Sequence, residues 1–185
     1  DKRKKHIERI KGSVKNLTDI LNDFLSLEKL EAGKVEIRYE TLNFKQFCED
    51  ITEEMQSVSK PDQHIILSYT GETEAVVDKT LMRHILINLI NNAIKYSPEN
   101  SKIDFQVIND SEISITIIDY GIGIPKDDQQ HLFERFFRAA NVTAIQGTGL
   151  GLNIVQRYVN KLNGNISLKS SENEGTTFKI TLPNK

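Results

Sequence analysis

The stretch Glu112-Ile-Ser-Ile-Thr-Ile-Ile-Asp-Tyr-Gly-Ile-Gly-Ile-Pro125 changes character at its middle. As far as Ile118 it alternates with the period of a half-buried strand, and it then stops at Asp119 beside two glycines. Further on, Gly147-Thr-Gly-Leu-Gly-Leu152 runs straight into a helical pattern of Leu152, Ile154, Val155, Tyr158, Val159 and Leu162. Glycine just before a helix lets backbone N–H groups approach a ligand closely, and a helix N-terminus favours an anion. A carboxylate ending a strand beside glycines is a fixed acceptor in an open turn. Between the two clusters, the aromatic knot Leu132-Phe-Glu-Arg-Phe-Phe-Arg138 sits in a polar segment that reads as a lid over a nucleotide.

Outward from this stretch, the pattern predicts strands over residues 34–41, 64–69, 102–108, 112–118, 166–169 and 176–182. Helices are predicted through Phe44, Phe47, Ile51 and Met55, over residues 78–96, and from about 149 to 163. Strands in antiparallel succession with helices between them imply an α/β (α+β) two-layer sandwich: one mixed, mostly antiparallel sheet with helices on one face. Residues 1–32 read as one long helix, with Ile7, Ile10, Val14, Leu17, Leu21 and Phe24 in a coiled-coil-like seam and Ala32-Gly33 as its C-terminal cap. Such a stripe requires a partner helix, and an intermolecular bundle is the expected solution; packing on the body of the same domain is the alternative. The basic run Asp1-Lys-Arg-Lys-Lys5 opposes the dipole of a true helix start, so it reads as the solvated face of a helix that begins upstream rather than as a membrane contact. The domain division is therefore 1–34 and 35–185.

Composition narrows the function. A net charge of −2 over 185 residues gives no broad basic surface for nucleic acid. No apolar run approaches the ~18 residues of a membrane span. The single cysteine, Cys48, cannot form an internal disulfide, and four scattered histidines give no zinc spacing.

The helix at 78–96 holds the chemistry. Ile85, Leu86, Leu89, Ile90, Ala93 and Ile94 make most of it core-facing, yet His84, Asn88 and Asn92 stand four apart, with Lys95 one turn beyond. Buried amides need partners, so this row either bridges neighbouring backbone or presents an Asn oxygen to Mg²⁺, which takes hard oxygen ligands and shares its sphere with water and phosphate. Lys95 is either solvated or a point cation for phosphate. Asp119 either caps a turn or accepts from the exocyclic amine of adenine. Phe133, Phe136 and Phe137 read as satellite core under the lid rather than a stacking platform; Arg135 and Arg138 read equally as solvated or phosphate-facing.

The order of these features decides between the alternatives. The chain resembles the ATP-binding catalytic domain of the sensor histidine kinases of two-component systems. Asn88-Leu-Ile-Asn-Asn-Ala-Ile-Lys-Tyr-Ser97 is similar to their N box, Asp119 to Gly123 to the first glycine box, and residues 132–138 to the F box. Gly147 to Leu152 and Gly175-Thr-Thr-Phe178 are similar to the second and third glycine boxes. The resemblance implies the Bergerat-type fold, ATP and Mg²⁺. Asn92 is then the metal ligand with Asn88 in support, and Asn88, Asn92 and Lys95 serve phosphoryl transfer. Lys95 and Tyr96 lie near phosphate, Asp119 reads adenine, and Thr177 reaches the base through water. Gly121, Gly123, Ile124, Phe133, Arg135, Gly147, Thr148, Gly149, Leu150, Gly151 and Leu152 shape the pocket and lid.

Residues 1–34 are similar to the second helix of the family's dimerisation and phosphotransfer bundle, which implies a homodimer, a response-regulator receiver domain as partner, and a cytoplasmic location with membrane contact only through segments outside these residues. The family's acceptor histidine lies on the first bundle helix with an acidic residue after it. His6 is followed by Ile7-Glu8-Arg9; the expectation is a donor half without its acceptor, unable to phosphorylate itself. ATP-hydrolysing relatives of the fold, such as gyrase and the large heat-shock chaperones, carry a glutamate one turn before the metal asparagine, where this chain has Asn88. An anti-sigma-type serine kinase and a nucleotide-gated interaction module or pseudokinase are the remaining alternatives.

Overall fold

A computed structural model of the chain describes residues 2–142, 145 and 147–184. It divides into two compact units, Asp1–Glu36 and Ile37–Lys185. The first carries α1 (Lys2–Glu31). The apolar seam residues Ile7, Ile10, Val14, Leu17, Leu21 and Phe24 along it are exposed. Of the basic run at 1–5, Asp1 and the side chains of Lys2, Lys4 and Lys5 lie outside the described set.

The second unit follows the order β1 (Glu40–Asn43), α2 (Phe44–Gln56), β2 (His64–Gly71), β3 (Glu74–Val77), α3 (Lys79–Tyr96), β4 (Lys102–Asn109), β5 (Glu112–Asp119), α4 (Gly151–Lys161), β6 (Asn165–Ser171) and β7 (Gly175–Pro183). Five strands form one sheet in the order β2-β4-β5-β7-β6, and β1 and β3 make a separate two-stranded ribbon. β2 and β4 are parallel, as a crossover through β3 and α3 requires, and the other pairings in the sheet are antiparallel. The sheet is mixed and mostly antiparallel.

Alternation in the central strands builds the two layers. Ile103, Phe105 and Val107 of β4, Ile113, Ile115 and Ile117 of β5, and Phe178, Ile180 and Leu182 of β7 are buried. They share one face by register: Phe105 opposite Ile117, and Ile117 opposite Phe178. α2, α3 and α4 cover that face, with α3 against β4 and β5 and α4 against β6. On the other face, Gln106 and Ile108 are exposed and Ser114 and Thr116 half-buried.

Two predictions need correction. The strand expected over 34–41 forms only from Glu40, because the Arg38 N–H donates to the Asp78 carboxylate (2.7 Å) instead of to a ladder partner. β3 is a strand the pattern did not announce; its four residues are too short to establish a period. The helices end close to expectation, with Asp78 as N-cap of α3 rather than its first residue, and with Gly149, at φ +73°, just outside α4.

One buried amide ties the ribbon to the sheet. Asn109 is fully buried, and its Nδ2 donates to the carbonyls of Glu72 (2.6 Å) and Glu74 (2.9 Å) and to the Tyr69 hydroxyl (3.2 Å). Asn109→Leu, which strands those acceptors, is expected to lower stability by about 2–4 kcal/mol, read as a lower urea midpoint at unchanged m-value.

Candidate nucleotide site

α3 begins on Asp78, whose carboxylate accepts from Leu81 N (2.9 Å). Its core face of Leu81, Met82, Ile85, Leu86, Leu89, Ile90, Ala93 and Ile94 is buried. That fixes its rotation and turns His84 and Asn88 toward α4. The His84 and Tyr158 rings stand 5.9 Å apart. Asn88 Nδ2 donates to the His84 carbonyl (3.0 Å), and its Oδ1 lies 2.7 Å from where a Cβ on Gly151 would stand. A Cβ on Gly147 would meet Lys95 Nζ at 2.7 Å and the Tyr96 hydroxyl at 3.9 Å. Close approach of backbone to polar side chains is what these two glycines permit, and it brings Asn88, Lys95 and Tyr96 together with the turn entering α4. Asn92 is half-buried on the same row, and its amide makes no hydrogen bond among the described residues. No cluster of three or more His, Cys, Asp or Glu among the described residues could hold a metal ion.

Asp119 closes β5 with its carboxylate buried. Burial pushes its pKa up to about 6, against the pull of backbone N–H hydrogen bonds from Gly121 and Thr176. The bond from Gly121 is 3.0 Å. A Cβ on Gly121 would lie 2.3 Å from the Tyr96 carbonyl, so only glycine lets this turn press on the end of α3. Ile122 N donates to that same carbonyl (3.2 Å), and Ile124 N donates to Ser170 Oγ (2.9 Å). Gly123 is buried in the same turn. In register, Thr176 stands opposite Asp119 and Thr177 opposite Ile118. Strand period therefore puts Thr176 on the carboxylate's face and Thr177 on the other.

The lid is held by Asn153 and Asn141, which lie in none of the quoted motifs, and by a backbone bond. Asn153 Nδ2 donates to Phe133 O (2.6 Å), Asn141 Nδ2 to Gly123 O (2.9 Å), and Phe136 N to Gly149 O (3.1 Å). Thr148 Oγ1 accepts from Leu150 N (3.1 Å). Leu132 and Leu150 are buried, while Phe133, Phe137 and Leu152 are half-buried and Arg135 is exposed. Phe136 departs from the satellite-core reading: it is 66% exposed and adopts φ +61°. Arg138 donates to the carbonyls of Val142 and Ile145, so its guanidinium braces the lid rather than facing phosphate or bulk water. A polar residue at a core-facing position of α4, Asn153, is the one of these that helical periodicity could have flagged.

Comparison with known proteins agrees with this geometry. The family described as histidine kinase-, DNA gyrase B- and HSP90-like ATPase matches residues 77–185, more than half the chain. The sensor histidine kinase WalK of Bacillus subtilis (strain 168) is 33% identical over 172 residues, covering 90% of this chain and 28% of that protein. The signal transduction histidine-protein kinase BarA of Escherichia coli (strain K12) is 35% identical over 185 residues, covering 94% and 20%. The chain thus spans less than a third of either relative. Among solved structures, the Acinetobacter baumannii histidine kinase AdeS superimposes with a TM-score of 0.73 at 25% identity, over 96% of this chain and 83% of that one. A glycine turn seated on a buried strand-end aspartate, an asparagine-bearing helix and a second glycine turn opening a helix are thus placed where this match falls, and the chain belongs to the family of histidine kinase-, DNA gyrase B- and HSP90-like ATPases.

Proposed function

We propose that the chain is the ATP-binding catalytic region of a sensor histidine kinase. It holds ATP with Mg²⁺ and donates the γ-phosphoryl group to a histidine on a bundle helix outside residues 1–185, for onward transfer to an aspartate of a response-regulator receiver domain. The observation that carries this reading is Asn88. Its amide donates to the His84 carbonyl and faces Gly151, at the position where a hydrolase needs a carboxylate to deprotonate water. With no base there, the nucleophile that fits is an imidazole brought from elsewhere. Its nitrogen lone pair forms the N–P bond, the bond from phosphorus to the bridging oxygen breaks, ADP leaves with that electron pair, and the imidazole proton passes to solvent or a base beside the acceptor.

The chain's own residues bind, orient and shield. The buried Asp119 carboxylate accepts from the exocyclic amine of adenine, which guanine replaces by a carbonyl. Lys95 and the N–H groups at the start of α4 face phosphate from two sides. Asn92 offers its amide oxygen as the single protein ligand of Mg²⁺, which when bound neutralises charge on the phosphate oxygens. Gly123, Ile124, Phe133, Arg135, Thr148, Gly149, Leu150 and Leu152 belong to the pocket and lid in this reading. Residues 1–34 form the second helix of a dimerising bundle, so the active protein is a cytoplasmic homodimer, attached to a membrane only through segments outside these residues. No helix among the described residues is long and apolar enough to cross a membrane.

Calorimetric titration with ATP tests the site. Saturation at one site per chain, strengthened by Mg²⁺, is expected, with phosphoryl transfer to an added histidine-bearing helical hairpin; rapid ADP release without an acceptor would favour a hydrolase instead. Asn92→Ala is expected to retain ATP binding but lose its Mg²⁺-dependent increment. The raised Asp119 pKa sets a pH profile, because base recognition needs the ionised form. ATP affinity should hold above pH 6 and fall about tenfold per unit below it.

The stability sign is opposite. A raised native pKa means the folded state binds this proton more tightly than the unfolded chain, so the group's contribution improves as pH falls through about 6 and levels off below the ordinary carboxylate value. Asp119→Asn is therefore expected to lose ATP binding while gaining up to roughly 2 kcal/mol of stability at pH 7 in urea denaturation.

A further inference from the structure

The loop between α2 and β2, which no motif marks, closes on the last turn of α3. An α-helix leaves its final carbonyls without intrahelical partners. Here each carbonyl from Ile94 to Pro98 has one. Gln63 Nε2 donates to Ile94 O (3.3 Å) and Pro98 O (3.3 Å), and Lys60 Nζ donates to Lys95 O (2.8 Å) and Ser97 O (2.6 Å). Tyr96 O accepts from Ile122 N of the glycine turn (3.2 Å).

The two donors are themselves held in place. Gln63 is 1% exposed, and its Oε1 accepts from Lys60 N (3.2 Å). Its backbone carbonyl accepts from Gln56 Nε2 (2.8 Å), while Gln56 Oε1 accepts from Ile65 N (2.9 Å). The bonds named link Gln56, Lys60 and Gln63 into one network, and the Lys60 ammonium also opposes the negative end of the helix dipole.

We infer that Lys60 and Gln63 are positioning residues for the nucleotide's phosphates. They fix the backbone of the one turn whose side chains, Lys95 and Tyr96, face Gly147 at the entrance to α4. This rests on the proposed ATP site, but the placement does not depend on which acceptor receives the phosphoryl group. A Lys60 lost from this position releases two carbonyls at once, at the residue before and the residue after Tyr96. The Lys95 ammonium then loses its fixed approach to the phosphates. The Asp119 carboxylate keeps its own partners, the backbone N–H groups of Gly121 and Thr176, neither of which bonds Lys60 or Gln63.

The test compares Lys60→Met with Lys60→Arg, measuring affinity for ATP and for adenosine together with amide hydrogen exchange at Ser97 and Ile122. Lys60→Met is expected to weaken ATP about tenfold, to leave adenosine unchanged, and to speed exchange at those two amides; Lys60→Arg, which keeps a cation with several donors, should recover most of the loss. Equal weakening of ATP and adenosine, or unchanged ATP affinity with unchanged exchange, overturns the inference. If the parent chain binds neither ligand, the ATP reading fails. Exchange at Ser97 and Ile122 then still decides whether the clamp fixes this turn.

Discussion

The rest of this site depends on the closeness with which backbone meets the C-terminal half of α3. The Gly121 turn rests on the Tyr96 carbonyl at a distance that excludes a Cβ, while Gly147 meets the Lys95 ammonium and Gly151 the Asn88 amide so closely that a Cβ would push those side-chain ends aside. None of these contacts is strong by itself. Together they hold two loops, separated by the whole lid, against one helix, and they leave polar side chains converging on the same space. A core face of eight buried residues keeps α3 from rotating, so the polar row has one direction to face.

Asp119 shows how the site is set against stability. A carboxylate at a strand end, buried and held by two backbone N–H groups, is disfavoured as an anion in the empty protein. The same burial makes it a discriminating acceptor, because a base that cannot donate leaves it unpaired. A folded domain tolerates one such group when the surrounding sheet is well packed, and the fully buried Ile115 and Ile117 of β5 with their neighbours in β4 and β7 provide that packing.

Much of the architecture was legible because its signals are periodic or chemical. The alternation of β4 and β5, the apolar face of α3 and the glycine runs at 121–123 and 147–151 each announce a backbone requirement that few residues meet. What stayed hidden depends on pairing between distant segments. The strand expected at 34–41 loses its first residues to Asp78, and β3 exists only because β1 lies beside it. Register sets Thr176 opposite Asp119 and Thr177 opposite Ile118, on opposite faces of β7. A shift of one residue along a strand moves a side chain to the opposite face, and no local pattern within Gly175-Thr-Thr-Phe178 distinguishes the two threonines. Phe136 and Arg138 likewise read as ordinary lid residues until a positive φ and two carbonyl partners gave them distinct places.

By itself the sequence determined the class of fold, the family and the residue types in the pocket, because glycine, asparagine and aspartate at fixed spacings state what the local backbone and chemistry must be. Tertiary structure alone decided which face each strand residue takes, which carbonyls end α3 unpaired and which side chains reach them. Lys60 and Gln63 lie more than thirty residues from the turn they hold. Their role comes from the crossover that lays β2 parallel to β4, and that juxtaposition has no trace in the linear order of residues.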